Sequence, residues 1–124
     1  HTNGDSIVFF RKSDVISTGD IYFTEGYPFV DESNFGHING VIAGLNEIIR
    51  ITVPREQQEG GTMVISGHGR LADEADVVDY EKIINEFALM RNKWLGVTKA
   101  LDQKQWQLTN IVKLRVAGME DARL

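Results

Sequence analysis

The chain has 124 residues, of which 42% are hydrophobic and 25% charged, a composition typical of one globular domain. Its formal net charge of -5 argues against nucleic acid as a partner, since electrostatic binding of phosphates needs a basic surface. The chain has no cysteine, so disulfides and thiolate metal sites are excluded, and a metal would be held by histidine and carboxylate.

The sequence also predicts no membrane partner. No apolar run approaches the ~20 residues needed to cross a bilayer, and no charged-then-apolar leader opens the chain. We therefore expect a cytoplasmic location, which the absence of cysteine permits.

The first third of the chain predicts a hairpin and a long loop. Residues 7–11 and 15–18 are short apolar, β-branched and aromatic runs separated by turn residues, a pattern typical of two strands. Residues 21–35 contain Gly26, Pro28 and several aromatic side chains without a sustained period. This pattern indicates an ordered loop of the kind that often borders a functional site.

The rest of the chain predicts one more strand and three helices. Apolar residues recur at helical spacing over residues 38–51, and residues 62–66 form a strand apolar enough to be buried on both faces. Asp73 is placed to cap a long helix that runs to about Trp94, and a separate last helix is expected over about 104–116. The order of elements predicts a mixed α/β fold with few strands in a single domain, residues 1–124.

Three candidate metal ligands lie at predicted strand ends or beside glycines. They are His1, which stands before Gly4, Asp20, which follows Gly19, and His68, which lies between Gly67 and Gly69. Glycine next to a ligand lets the backbone turn sharply. Neutral imidazole and carboxylate are ligands that suit zinc. Because the three residues are far apart in the sequence, they form a site only if the fold brings them together. Otherwise they are structural or loop residues.

Four segments follow one another in a distinctive order and at distinctive intervals. They are HTNGDSIVFF at 1–10, VISTGD at 15–20, YPFVD at 27–31 and ISGHG at 65–69. This arrangement resembles the C-terminal half of the metallo-β-lactamase superfamily over about residues 1–90, with about 91–124 as a C-terminal helical extension. The resemblance implies half of an αββα sandwich, in which a small sheet carries helices on one face.

The resemblance also implies a ligand set and a chemistry. His1 would bind one metal, His68 would bind the other, and Asp20 would bridge the pair. In this family the metal-bound water or hydroxide attacks a carbonyl, phosphoryl or thioester centre. Zinc is therefore the implied cofactor and hydrolysis the implied reaction, while the substrate stays undetermined.

The sequence departs from the family at the first metal motif. The HxHxDH motif is absent, and the chain has only three histidines. Each metal would then have Asp20 and one histidine, whereas a catalytic zinc normally has three protein ligands and an open position. We therefore expect this chain alone to bind zinc weakly and to be inactive as a hydrolase. If His1 derives from a tag, only Asp20 and His68 remain.

Half of a sandwich would expose one face of its sheet. That face would include residues from the strands at 7–11 and 62–66. Because burying apolar surface is worth ~25 cal/mol per Å2, an exposed apolar face favours association. We expect a homodimer that places one half-sandwich against its copy, or a missing N-terminal half as the partner.

Two further residues are candidates for substrate binding. His37 lies where the loop meets the first helix and could reach a substrate, although it also suits the start of a helix. Tyr27 could line an apolar groove, although packing within the loop explains it too.

Two functions follow from these observations. The first is the C-terminal half of a zinc-dependent hydrolase that depends on ligands from elsewhere. The alternative is a non-catalytic oligomeric or protein-binding module derived from the same fold. Asp20 and His68 favour the first function, and the missing HxHxDH motif favours the second for this chain alone.

Overall fold

A computed structural model describes Thr2 and residues 4–119, and it divides the chain into two compact units, His1–Ala88 and Leu89–Leu124. The first unit contains a four-stranded sheet in the order β1-β2-β3-β4. The strands are β1 (Val8–Phe10), β2 (Val15–Ser17), β3 (Met63–Ile65) and β4 (Leu71–Ala72). The mixed α/β class predicted from the sequence is therefore confirmed.

The two helices are α1 (Ile38–Ile51) and α2 (Glu74–Val116). The predicted hairpin is confirmed, because β1 pairs with β2 in antiparallel register. β2 and β3 pair in parallel with α1 between them, which makes a β-α-β unit. Parallel pairing matters for the site, because it brings the carboxyl ends of β2 and β3 to one edge of the sheet.

The core of the first unit lies between one face of the sheet, α1 and the part of α2 that precedes residue 89. Alternate residues of each strand point to this face, since side chains in a strand alternate between its two sides. The fully buried residues that hold the layers together come from β2, β3, α1 and α2, and they are Ile16, Val64, Leu45, Ile48 and Val77. Burial of this apolar surface is the main stabilising contribution to the first unit.

The opposite face of the sheet is exposed. Val8 and Phe10 of β1 lie on it, as do Met63 and Ile65 of β3 and Leu71 of β4, and these side chains are between 38% and 56% exposed. The prediction that β3 is buried on both faces is therefore wrong. Only one side of β3 is covered, because α1 and α2 both contribute to the core on the side of Val64. No described element covers the side that carries Met63 and Ile65.

Helix α2 begins with reciprocal caps. The Asp73 carboxylate accepts from the Asp76 N–H at 3.1 Å, and the Asp76 carboxylate accepts from the Asp73 N–H at 3.2 Å. The predicted cap at Asp73 is thus confirmed. The helix ends where Gly118 adopts φ 87°, with the Met119 N–H donating to the Leu114 carbonyl, as in a Schellman motif.

Three details differ from the sequence predictions. The separate helix expected at about 104–116 is the last part of α2, which continues through Gly96 because one glycine costs a helix only about 1 kcal/mol. The loop at 21–35 includes a short 3-10 turn at Glu32–Asn34, and another, Gly19–Ile21, precedes it. Strand β4 has only two residues and was not predicted.

Among the helices described, none combines the length and apolar character that spanning a bilayer requires.

Candidate metal centre

Asp20 and His68 lie together at one edge of the sheet, just beyond the carboxyl ends of β2 and β3. The His68 Nε2 atom is 3.4 Å from Asp20 Oδ1. The parallel ladder continues past the strands as an isolated bridge between Phe23 and His68. The two side chains therefore meet because two parallel strands end side by side, although 47 positions separate them in the sequence.

The turn that carries Asp20 is fixed on both sides. The Thr18 N–H and hydroxyl both donate to the Ile65 carbonyl, at 3.0 and 3.2 Å, which ties the end of β2 to β3. Gly19 then turns the chain with φ 52°. After Asp20, the buried Ile21 packs against Gly44 of α1, where an added Cβ would lie 2.8 Å from the Ile21 side chain. Asp20 thus projects from an anchored turn.

The loop that carries His68 is held by hydroxyl groups. The Ser66 hydroxyl donates to the His68 carbonyl at 2.9 Å, and the Thr24 N–H donates to the same carbonyl at 3.1 Å. The Thr24 hydroxyl accepts from the Arg70 N–H at 2.7 Å. The Phe23 ring stands edge-on to the His68 imidazole, with ring centres 4.8 Å apart. These contacts fix the backbone of the loop and limit rotation of the imidazole.

Gly67 permits the close approach of the two loops. A Cβ on this residue would lie 2.5 Å from both Asp20 Oδ1 and the Gly19 carbonyl oxygen. Real Cβ contacts are essentially never this short, so any larger residue would displace the Asp20 turn. The Gly67 N–H also donates to the Tyr22 carbonyl at 3.0 Å. The glycine before His68 is therefore a steric requirement of the site.

Tyr22, two residues after Asp20, forms an aromatic pair with Tyr80. Tyr22 is almost fully buried, and its ring meets Tyr80 edge-on at 5.1 Å. Burial, with the nearby Asp76 carboxylate as a smaller contribution, raises the pKa of Tyr22 to about 12. Burial also raises the pKa of Tyr80. Both phenols therefore stay neutral near pH 7 and do not act as bases there.

The separation of the pair fits two ligands of one zinc ion. Zinc bonds of ~2.0–2.1 Å at a tetrahedral angle place two ligand atoms about 3.4 Å apart, as observed for Asp20 and His68. A charge-assisted hydrogen bond between them would be shorter, at about 2.7–2.9 Å. The His68 and Asp20 side chains are 66% and 56% exposed, so an ion and its remaining ligands have access.

A third ligand is not found in the described part of the chain. Among Thr2 and residues 4–119, no cluster of three or more histidine, cysteine, aspartate or glutamate side chains is arranged to hold a metal ion. His1, the third predicted ligand, lies outside the described residues. Asp20 and His68 therefore fit as two ligands, and the zinc set of His1, Asp20 and His68 stays a prediction.

His37 and Tyr27, the candidates for substrate binding, lie elsewhere. His37 caps α1, with its Nδ1 accepting from the Gly40 N–H at 2.8 Å. Its ring also lines a cavity of about 310 Å3 between the start of the chain and α1, together with Phe35 and Ile21. Tyr27 packs edge-on against Phe87 at 5.4 Å. The capping role anticipated for His37 is confirmed, and substrate contact by either residue stays a prediction.

Sequence reasoning missed the residues that support the pair. Thr18, Thr24 and Ser66 hold the two loops, and Phe23 restrains the imidazole. Ser66 carried a usable signal, because a serine just before a Gly-His-Gly turn commonly bonds to the backbone a few residues on. Thr24 and Phe23 carried none, since their role depends on the parallel ladder.

Comparison with known proteins adds no family. No protein-family model matches the sequence, and no curated protein matches it. The resemblance to the metallo-β-lactamase superfamily therefore stays a prediction from motifs, and the function has to be argued from the geometry.

Proposed function

We propose that this chain is the C-terminal half of a metallo-β-lactamase-like, zinc-dependent hydrolase, and that Asp20 and His68 are two of its zinc ligands. The observation that carries the proposal is the 3.4 Å separation of Asp20 Oδ1 and His68 Nε2 at the carboxyl ends of parallel strands. Ligands are commonly bound at this edge of an α/β sheet.

The protein's part in this chemistry is positioning. Gly67 lets the two loops approach, and Thr18 and Thr24 hold them. When bound, zinc lowers the pKa of a bound water and polarises the group that is attacked. The substrate class is left open, because the same ligand types serve many hydrolases.

In this proposal, residues other than Asp20 and His68 supply the remaining zinc ligands. His1 supplies one, and an HxHxDH-type segment outside these 124 residues, or in a second chain, supplies the rest. Two ligands leave zinc short of the three that catalytic sites use, so this chain by itself binds zinc weakly and does not hydrolyse substrate. A cytoplasmic location is part of the proposal and accords with the cysteine-free sequence.

Zinc titration of the full chain by equilibrium dialysis tests the assignment. We expect Asp20→Asn and His68→Ala each to weaken zinc binding by roughly tenfold or more, since each removes one of few ligands. His37→Asn is the matched control, because it removes an imidazole outside the pair and keeps a capping side chain. Zinc binding that is absent, or that survives both substitutions unchanged, would refute the proposal.

The exposed sheet face favours a second candidate function. Five apolar side chains of β1, β3 and β4 lie uncovered on it. A chain that uses this face to pair with a copy, or with an N-terminal half, would serve as an oligomeric or protein-binding module without catalysis. Metal content and association state distinguish the two functions, since only the first requires Asp20 and His68.

A further inference from the structure

The second unit carries an apolar stripe of heptad spacing along α2. Six residues recur at steps of four and three, with one lysine, Lys104, in the same series. We call this series the seam, and it consists of Lys104 and the six apolar residues Met90, Trp94, Val97, Leu101, Leu108 and Ile111. Spacing of this kind puts all seven side chains on one side of a helix and is the pattern by which two helices pair.

The seam is uncovered. Its first five apolar side chains are between 51% and 67% exposed, and Ile111 is half-buried. Helices draw most of their stability from packing, and this segment contains Gly96 and several β-branched residues, which weaken an isolated helix. The segment therefore has an apolar surface on which a partner can pack, and packing against a partner would stabilise its helix.

The charges beside the seam favour a partner of negative charge. Over residues 89–116 there are six lysines and arginines and one aspartate, a net charge of +5 in a chain whose total is -5. Arg91 and Lys93 occupy positions that flank the seam, and Lys104 lies in it, while Lys99, Lys113 and Asp102 are on other sides of the helix. A second copy would place two cationic segments together, and in parallel register would place Lys104 against Lys104. An acidic partner avoids both costs.

The surface is large enough for a specific complex. The exposed parts of the seam side chains amount to roughly 600 Å2, so a matching partner helix brings the total to about 1,200 Å2. This is the lower end of the range for stable, specific interfaces.

We propose that residues 90–111 dock an acidic amphipathic helix of another protein, through a heptad seam flanked by glutamate or aspartate. The apolar stripe supplies the contact area, and the cations of this chain pair with the partner's carboxylates. Apolar burial sets the stability of the complex, and charge sets its selectivity.

Two synthetic peptides test this proposal against the full chain by calorimetry. Each has four heptads with leucine and isoleucine in the seam, and they differ only in glutamate or lysine at the flanking positions. We expect the glutamate peptide to bind one to one, and the lysine peptide to bind on the order of a hundredfold more weakly. Binding of the glutamate peptide should weaken as salt rises.

A matched pair of variants ties binding to the seam. Leu101 is in the seam, and Leu95 is an exposed leucine of the same helix outside it. Leu101→Gln should weaken binding of the glutamate peptide by about tenfold or more, whereas Leu95→Gln, with the same cost in helix propensity, should leave it unchanged. Far-UV circular dichroism verifies that both variants keep their helix.

Several outcomes would overturn the proposal. The proposal is wrong if the glutamate peptide does not bind, or if both peptides bind equally well. It is also wrong if Leu101→Gln and Leu95→Gln affect binding equally. Self-association of the chain that Leu101→Gln abolishes and Leu95→Gln does not would assign the seam to a second copy. Binding to vesicles of phosphatidylglycerol and phosphatidylcholine in place of the glutamate peptide would assign it to a lipid surface.

Discussion

At the scale of residues, one missing side chain determines whether the two candidate ligands can meet. Gly67 faces Asp20 Oδ1 and the Gly19 carbonyl at distances that leave no room for a methyl group. No positive φ is involved at Gly67, so the requirement is close approach and not backbone conformation. Local spacing cannot reveal this requirement, because Asp20 and Gly67 meet only through the parallel pairing of β2 and β3.

Gly67→Ala should therefore damage the site specifically. The added Cβ must push the Asp20 turn away, so we expect a loss of stability of about 1–3 kcal/mol and weaker zinc binding. Gly96→Ala is the control, because nothing lies within 4 Å of its added Cβ and alanine favours the helix by about 0.5–1 kcal/mol. Thermal unfolding and zinc dialysis measure the two effects. Unchanged zinc binding by Gly67→Ala would show that the close approach is dispensable.

His37 provides a second test at this scale, because its observed role is structural. Its Nδ1 accepts from the Gly40 N–H at 2.8 Å and so satisfies one free donor of α1. We expect His37→Ala to lower the free energy of unfolding by about 1 kcal/mol and His37→Asn to restore most of it, as measured by urea denaturation. Equal losses in both variants would mean that capping is not what His37 contributes.

At the scale of elements, periodic and capped segments were the predictable ones. The bounds of α1 agree with the apolar spacing over 38–51, and Asp73 marks the start of α2. The continuation of α2 through Gly96, the two-residue strand β4 and the uncovered side of β3 were not predictable. Strand β4 and the uncovered side of β3 depend on tertiary packing or on the absence of a neighbouring layer, neither of which leaves a local pattern. The continuation of α2 is different, because its side chains from residue 89 onward are mostly exposed and one glycine costs a helix only about 1 kcal/mol.

The start of α2 makes stability depend on pH. The Asp76 carboxylate accepts two hydrogen bonds from the Arg70 guanidinium, at 2.7 and 3.0 Å, and these bonds lower the pKa of Asp76. A carboxyl whose pKa is lower in the folded state stabilises the protein above its unfolded pKa of ~3.9, and this stability is lost as pH falls through the folded value.

Asp76→Asn should therefore destabilise the protein most at neutral pH. We expect a loss of about 1–2 kcal/mol at pH 7 that shrinks below about pH 4, measured by urea denaturation across the pH range. Asp79→Asn is the control, because Asp79 is an exposed partner of Lys82 and surface pairs contribute little. A loss that is the same at pH 3 and pH 7 would contradict the assignment to charge.

At the scale of the whole molecule, each unit has an uncovered apolar surface among its described residues. These surfaces are the sheet face that carries Phe10 and Met63, and the seam on α2. The motif resemblance predicted the first from the idea of half a sandwich, and the exposure of β1 and β3 agrees with it. The second was not predicted, since its residues were divided between two expected helices.

The sheet face gives the last prediction, on association. Phe10→Lys places a charge on the apolar face at its edge strand β1, where burial against a second layer would require desolvation of the ammonium group. The residue is exposed in the chain itself, so the substitution should spare the fold. If the face pairs with a copy, the unsubstituted chain dimerises in sedimentation velocity as concentration rises, and Phe10→Lys sediments as a monomer. Gln57→Lys, which adds the same charge on an exposed loop, should still dimerise. If the unsubstituted chain is a monomer at every concentration, the face does not pair with a copy. Within the proposed function, an N-terminal half would then be what covers it.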